Sequence, residues 1–232
     1  MSRDRSAPPG QLPLELPHET ALGRADFIVG ESNRNAIALI DCWPTWPERG
    51  VLLVGPEGSG KSHLAAIWCA MCGGRHVEAA ALDREDAAFD DETTALAVEN
   101  LDRIPVDEAA LFHLVNRAIE RRRALLFTSR KPLSSLGYAL PDLVSRLRAT
   151  QAVSLAPPDE TLLRQLLTKL LADRQLVVDR SVIDFIVLRM ERSFDAANRL
   201  AAALDSRALA SNRAITRRLA SEVLDDLAAS GP

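Results

Sequence analysis

Gly55-Pro-Glu-Gly-Ser-Gly-Lys61-Ser62 fits the phosphate-binding pattern G-x-x-x-x-G-K-[ST]. It follows the apolar run Val51-Leu-Leu-Val54 and opens the helix-like stretch Ser62 to Cys72. Strand, loop and helix in that order are what the pattern requires. Glycines let the backbone curl until several N–H groups converge on one anion, and the helix N-terminus adds its partial positive charge. Gly55, Glu57, Gly58, Ser59, Gly60, Lys61, Ser62 and His63 are therefore the expected nucleotide-binding residues. Lys61 is placed to reach the β and γ phosphates of ADP or ATP, and Ser62 to hold Mg²⁺.

Working outward, Ser32 and Asn33 read as a cap for a helix from Ala36 to Cys42, and Trp43-Pro-Thr-Trp-Pro47 as a loop. His76 to Ala80, Ala95 to Val98, Ala124 to Phe127 and Ala152 to Leu155 are strand candidates. Between them, Leu111, Leu114, Val115, Ala118 and Ile119 recur at helical spacing, and Leu140 to Leu147 reads as a short helix. The acidic stretch Asp83 to Glu92 reads as a surface loop. Strands alternating with helices predict an α/β fold with a parallel five-stranded sheet covered on both faces.

Pro157-Pro158 marks a change of pattern. Leu163, Leu166, Leu167, Leu170 and Leu171 form an apolar stripe, and Val182 to Met190, Ala196 to Ala210 and Ile215 to Leu227 read as further helices. The expected organisation is a tail over residues 1–20, a nucleotide-binding domain over 21–156, and a small all-helical lid domain over 157–232. Pro8, Pro9, Pro13 and Pro17 rule out a stable helix or a central strand in the tail, which reads as extended.

With 47% hydrophobic residues the chain can bury a substantial core. A net charge of −4 gives no field that would draw in nucleic acid, which disfavours DNA binding as the main activity. Cys69 and Cys72 form a lone C-x-x-C without the second ligand pair a zinc site needs, so they read as small apolar residues of a buried helix. No apolar run approaches the ~20 residues of a membrane span. The N-terminus has no apolar signal core, so a cytoplasmic protein with no membrane partner is expected.

A phosphate-loop α/β domain carrying a helical lid resembles the AAA+ arrangement. Ala25-Asp-Phe-Ile-Val-Gly-Glu-Ser-Asn33 looks like the segment that opens this domain in the DnaA-related AAA+ family, where it lies by the adenine. Leu96-Ala-Val-Glu-Asn-Leu-Asp102 occupies the place of the Walker B strand, with Glu99 implied as the Mg²⁺-holding acid. The family often has a second acid where this chain has Asn100, and an amide cannot take a proton from attacking water. Asp102 lies three residues further on, past the strand. Leu126-Phe-Thr-Ser-Arg-Lys-Pro132 resembles the sensor 1 strand end, with Arg130 where relatives carry Asp; contact with phosphate and pairing with an acid are both open to it.

Leu140-Pro-Asp-Leu-Val-Ser-Arg-Leu147 is similar to the family segment that carries an arginine finger, most of all in its Hda-type regulatory branch, so Arg146 is implied as a catalytic finger acting in trans. The sensor 2 arginine of the lid aligns with Asp195, flanked by Arg192 and Arg199. Gln11-Leu-Pro-Leu-Glu-Leu16 resembles the hexamer by which bacterial proteins dock on the replicative sliding clamp; Gln11, Leu12, Leu14 and Leu16 would make the contacts.

The resemblance implies partners in the DnaA initiator and the DNA polymerase sliding clamp, and weak intrinsic ATP turnover. With no DNA-binding domain after the lid, it implies no direct sequence-specific DNA binding, and homo-oligomerisation stays open. The implied role is to stimulate hydrolysis of DnaA-bound ATP and so repress initiation. The alternatives are an AAA+ ATPase that loads or remodels a replication factor such as a helicase, and a DNA-binding initiator paralogue.

Overall fold

A computed structural model describes residues 23–24, 27–46, 50–82, 93–103, 105–211 and 214–230. Gln11, Leu12, Leu14, Leu16 and the acidic stretch 83–92 lie outside the described residues. The order is α1 (Arg34–Asp41), β1 (Gly50–Val54), α2 (Lys61–Cys72), β2 (Arg75–Glu78), β3 (Ala95–Glu99), α3 (Glu108–Glu120), β4 (Ala124–Ser129), α4 (Pro141–Arg148) and β5 (Gln151–Ser154). Four helices follow: α5 (Glu160–Asp173), α6 (Arg180–Val187), α7 (Phe194–Ser211) and α8 (Arg217–Ser230).

The strands form one parallel sheet in the order β2-β3-β4-β1-β5. Side chains alternate across it. Val51 and Leu53 of β1 and Leu126 of β4 face α1 and α2, where Ile37, Ile40, Leu64 and Trp68 complete one buried cluster. Leu52, Leu96, Val98 and Phe127 face the other way, onto Leu111, Leu114 and Val115 of α3 and Leu143 and Leu147 of α4. Burial on both faces explains why these strands read as unbroken apolar runs.

The lid helices bury a cluster of their own. Leu163, Leu167 and Leu171 of α5 meet Ile186 of α6 and Leu200 and Leu204 of α7. Carboxylates start several helices: Asp107 accepts from the N–H groups of Ala109 and Ala110, Asp159 from Leu162, and Asp179 from Ser181. Asn33 behaves otherwise. It sits at the start of α1 but caps none of its N–H groups. Its Oδ1 accepts from Gly30 N at 2.9 Å and its Nδ2 donates to Ile28 O at 3.0 Å, so it fixes the preceding segment instead of the helix.

A parallel sheet places every strand's C-terminal end on one edge. The loop after β1, Glu99 at the end of β3 and Ser129 at the end of β4 therefore share that edge.

Candidate phosphate-loop site

Gly58 (φ +67°) and Gly60 (φ +92°) adopt left-handed conformations that a side chain would strain, and they turn the chain sharply into α2. No side chain caps α2, so its first N–H groups, which have no intrahelical partner, remain for an anion. Lys61 is 7% exposed. Its Nζ donates to the Pro56 carbonyl at 2.7 Å, folding the ammonium back over the loop. Burial pushes its pKa below the ordinary lysine value, opposed by the negative charges of Asp102, Glu57 and Asp195 and assisted by Arg130.

Ser62 Oγ donates to Glu99 Oε2, joining the start of α2 to the end of β3. His76 Nδ1 lies 3.0 Å from the other oxygen, Glu99 Oε1. Burial tends to raise the Glu99 pKa, but the hydrogen bonds from His76 and Ser62 outweigh it and hold the carboxyl below its usual value. A hydroxyl and an ionised carboxylate beside a phosphate loop are hard oxygen donors, the set that suits Mg²⁺. The sequence brought Ser62 and Glu99 into one role, and the structure puts them in contact. His76 carried no sequence signal, because strand pairing alone sets it beside Glu99.

Asn100 occupies a left-handed conformation (φ +60°). Its amide Nδ2 donates to both carboxylate oxygens of Glu78 on the edge strand, at 2.9 and 3.0 Å. The side chain is thus engaged by β2.

Asp102 lies beyond β3, and its side chain is 1% exposed. It accepts from the Arg130 backbone N–H at 2.8 Å and from Arg130 Nε at 2.6 Å. Arg130 Nη1 also reaches Glu57 Oε2 at 3.3 Å. Arg130 thus pairs with two acids, and the pairing ties the end of β4 to the phosphate loop. Burial raises the Asp102 pKa, but the Arg130 bonds and charge more than compensate and hold the carboxyl low.

The lid closes over the loop from the other side. Phe194 N donates to Gly58 O at 2.8 Å. The cleft between them is about 420 Å³ and is lined by Gly58, Gly60, Lys61, Ser62, His63 and Asp195, among others. Phe27 stands edge-on to His63 at 5.2 Å and stacks on Phe194 at 6.5 Å, and so packs behind two of the residues that line the cleft. Ser59 is buried within the loop, whereas Glu57 faces outward to Arg130. Arg192 pairs with Glu160 at 2.6 Å and Arg199 with Glu191 at 3.7 Å, and neither lines the cleft.

Arg146 does not line the cleft either. It is exposed on α4, and its guanidinium has no partner among the described residues. The helix beneath it is firmly held: Leu143 and Leu147 are buried, and Glu108 accepts from the N–H groups of Ala139 and Leu140 at 3.0 and 2.7 Å. Cys69 is buried, and that burial pushes its thiol pKa up to about 12, so it behaves as an apolar core residue.

A parallel five-stranded sheet with a phosphate loop after β1 and a helical lid closing on that loop is the AAA+ fold. Comparison with protein-family models finds no match. Among solved structures, the chain is similar to domain III of the replication initiation protein DnaA from Thermotoga maritima. The TM-score is 0.79 at 16% identity, over 91% of this chain and 98% of that one. It is also similar to the replication initiator DnaA bound to AMPPCP and single-stranded DNA, with a TM-score of 0.65 at 17% identity, over 82% and 67% of the two chains. The Thermotoga maritima RuvB Holliday junction branch migration motor gives a TM-score of 0.67 at 16% identity, over 86% and 70%. No helix among the described residues is long and apolar enough to cross a membrane.

Proposed function

We propose that this chain is a cytoplasmic, Hda-type regulator that stimulates hydrolysis of ATP bound to DnaA. The observation that carries the reading is Arg146, an exposed arginine without a partner among the described residues, on a rigid helix and outside the chain's own cleft. A planar guanidinium with several donors neutralises charge on phosphoryl oxygens, and it can do so for a nucleotide held by another molecule.

In this reading the cleft holds ADP or ATP structurally. The loop amides and Lys61 grip the phosphates, Phe27, His63 and Phe194 border the nucleoside, and Ser62 with Glu99 would hold Mg²⁺, which supplies charge neutralisation at the phosphates. The chain's own turnover is weak, because Asn100 is an amide engaged by Glu78 and no arginine among the described residues lines the cleft. Gln11, Leu12, Leu14 and Leu16 dock on the DNA-loaded sliding clamp. Docking raises the local concentration of Arg146 near DNA-bound DnaA.

An AAA+ ATPase acting on a helicase or another replication factor would need its own hydrolytic residues, which Asn100 and Asp195 disfavour. The test is DnaA carrying radiolabelled ATP, incubated with clamp-loaded DNA and this protein. Hydrolysis should accelerate with the parent. Arg146→Ala should remove nearly all of the stimulation, by roughly 10³-fold or more, and Arg146→Lys should restore little of it. Equal stimulation by Arg146→Ala would reject the finger.

A further inference from the structure

Two carboxylates stand side by side where β2 meets β3. Glu78 is the direct parallel partner of Glu99, and His76 that of Ala97. Residues two apart on a strand share a face, so His76, Glu78, Ala97 and Glu99 lie on one face of the sheet. Ala97 is buried with Leu64 and Trp68, which identifies this as the face that α2 covers. Val77, between His76 and Glu78, packs on the opposite side with Leu96 and Val98. Ser62, at the start of α2, reaches Glu99 from the covered face. Neighbouring strands lie about 5 Å apart, and like charges at that separation repel.

Each carboxylate has a separate partner. Asn100 Nδ2 donates to both oxygens of Glu78, at 3.0 and 2.9 Å. His76 Nδ1 lies 3.0 Å from Glu99 Oε1, while Ser62 Oγ donates to Oε2. An ionised carboxylate only accepts, so Nδ1 is the ring nitrogen that carries the hydrogen. The two Glu99 oxygens are thus divided: Oε1 is bound to the edge strand and Oε2 to the phosphate-loop side. The Glu99 side chain is only 12% exposed, so these partners, more than bulk water, set its orientation.

We infer that His76 is a positioning residue for the metal-holding carboxylate. By occupying Oε1 it fixes the side chain of Glu99 and leaves Oε2, beside Ser62, as the oxygen offered to Mg²⁺. Mg²⁺ tolerates little distortion of its ligand shell, and a carboxylate already fixed by a hydrogen bond loses less freedom on binding it. The inference rests on the phosphate-loop reading, in which Ser62 and Glu99 hold Mg²⁺ on a bound nucleotide, and adds a residue that has no part in the loop motif. It does not depend on any action toward a partner.

The test is titration calorimetry of the full chain with ADP, in Mg²⁺ and in EDTA, on the parent, His76→Ala, His76→Asn and Glu99→Gln. The quantity read is the ratio of the dissociation constant in EDTA to that in Mg²⁺, which separates the metal's share of binding from damage to the loop. The parent ratio should be well above one, and Glu99→Gln should bring it close to one. His76→Ala should lower it on the order of 10-fold, the scale for removing a hydrogen-bond partner from a metal ligand. His76→Asn sets an amide N–H at the same branch of the side chain and should restore most of the ratio. An unchanged ratio in His76→Ala beside a lowered one in Glu99→Gln overturns the positioning role and leaves the metal reading standing. His76→Asn performing no better than His76→Ala also overturns it, since the ring's bulk and not its hydrogen bond would then be at work. A parent ratio of one, or one that Glu99→Gln does not change, overturns both.

Discussion

Phe194, the first residue of the lid helix α7, donates its backbone N–H to the carbonyl of Gly58 in the phosphate loop at 2.8 Å. The lid and the nucleotide loop are therefore joined through main chain, and any change in the loop's path is felt by the lid. Gly58 is the residue on which this joint depends, because a side chain there would collide with Ser193.

Gly58→Ala should therefore loosen the lid from the loop. The substitution combines a left-handed conformation, worth about 1–2 kcal/mol against alanine, with a close contact that only movement of Ser193 can relieve. Gly137→Ala is the control: its φ is +74° but a Cβ there meets nothing within 4 Å. Thermal unfolding should show a drop of roughly 4–8 °C for Gly58→Ala and a smaller one for Gly137→Ala. Equal drops would mean that conformational strain alone, and no lid contact, is at stake.

Lys61→Ala removes the ammonium folded over Pro56. Hydrogen bonds to charged groups contribute about 1.5–3 kcal/mol, so ADP affinity should fall on the order of 10- to 100-fold while the circular dichroism spectrum is unchanged. Calorimetry decides it, and an unaltered dissociation constant would contradict the role of the loop.

Arg130→Met should destabilise the protein, because it leaves the buried Asp102 carboxylate without its cation. The cost should be about 2 kcal/mol at neutral pH, moderated by the partial exposure of Arg130. The pH dependence has a definite sign. Asp102 is held below its ordinary pKa in the folded state, so its contribution is present above the unfolded value of about 3.9 and is lost as the pH falls through the lower folded value. The gap between parent and variant, measured by urea unfolding, should be widest near pH 7 and narrow below about pH 4. A gap independent of pH would place the effect of Arg130 elsewhere than on Asp102.

Replacing Gln11, Leu12, Leu14 and Leu16 together with Ala should weaken sliding-clamp binding by about 100-fold or more, since a few anchor side chains carry most of such an interface. ADP affinity should be unaffected. Co-elution of this variant with the clamp on gel filtration, at the parent's concentration, would remove the docking motif.

The order and type of the elements were legible from local pattern. The run Val51–Val54, the loop Gly55–Ser62 and the stripe Leu163–Leu171 each signal their structure through spacing that needs no distant partner. The phosphate loop was the most readable part of the site, because its chemistry is built from consecutive residues. Element ends were less legible: β3 extends to Glu99 and β4 to Ser129, where polar residues continue a strand that the apolar run alone would end earlier. Asn33 looked like a cap and instead holds Ile28 and Gly30, a choice made by which backbone groups the fold left nearby.

Sequence by itself determined the alternation of strands and helices, the all-helical C-terminal part and the loop that can receive phosphates, since propensity, periodicity and consecutive motif residues all act over a few positions. Tertiary structure alone decided that His76 and Ser62 share the Glu99 carboxylate, that Arg130 is bound to Asp102 and Glu57, and that Asp195 lines the cleft with Lys61 while Arg192 and Arg199 do not. The physical reason is distance along the chain. Hydrogen bonds and Coulomb forces act over ångströms, and only the packing of sheet and lid brings residues dozens or more than a hundred positions apart within that range.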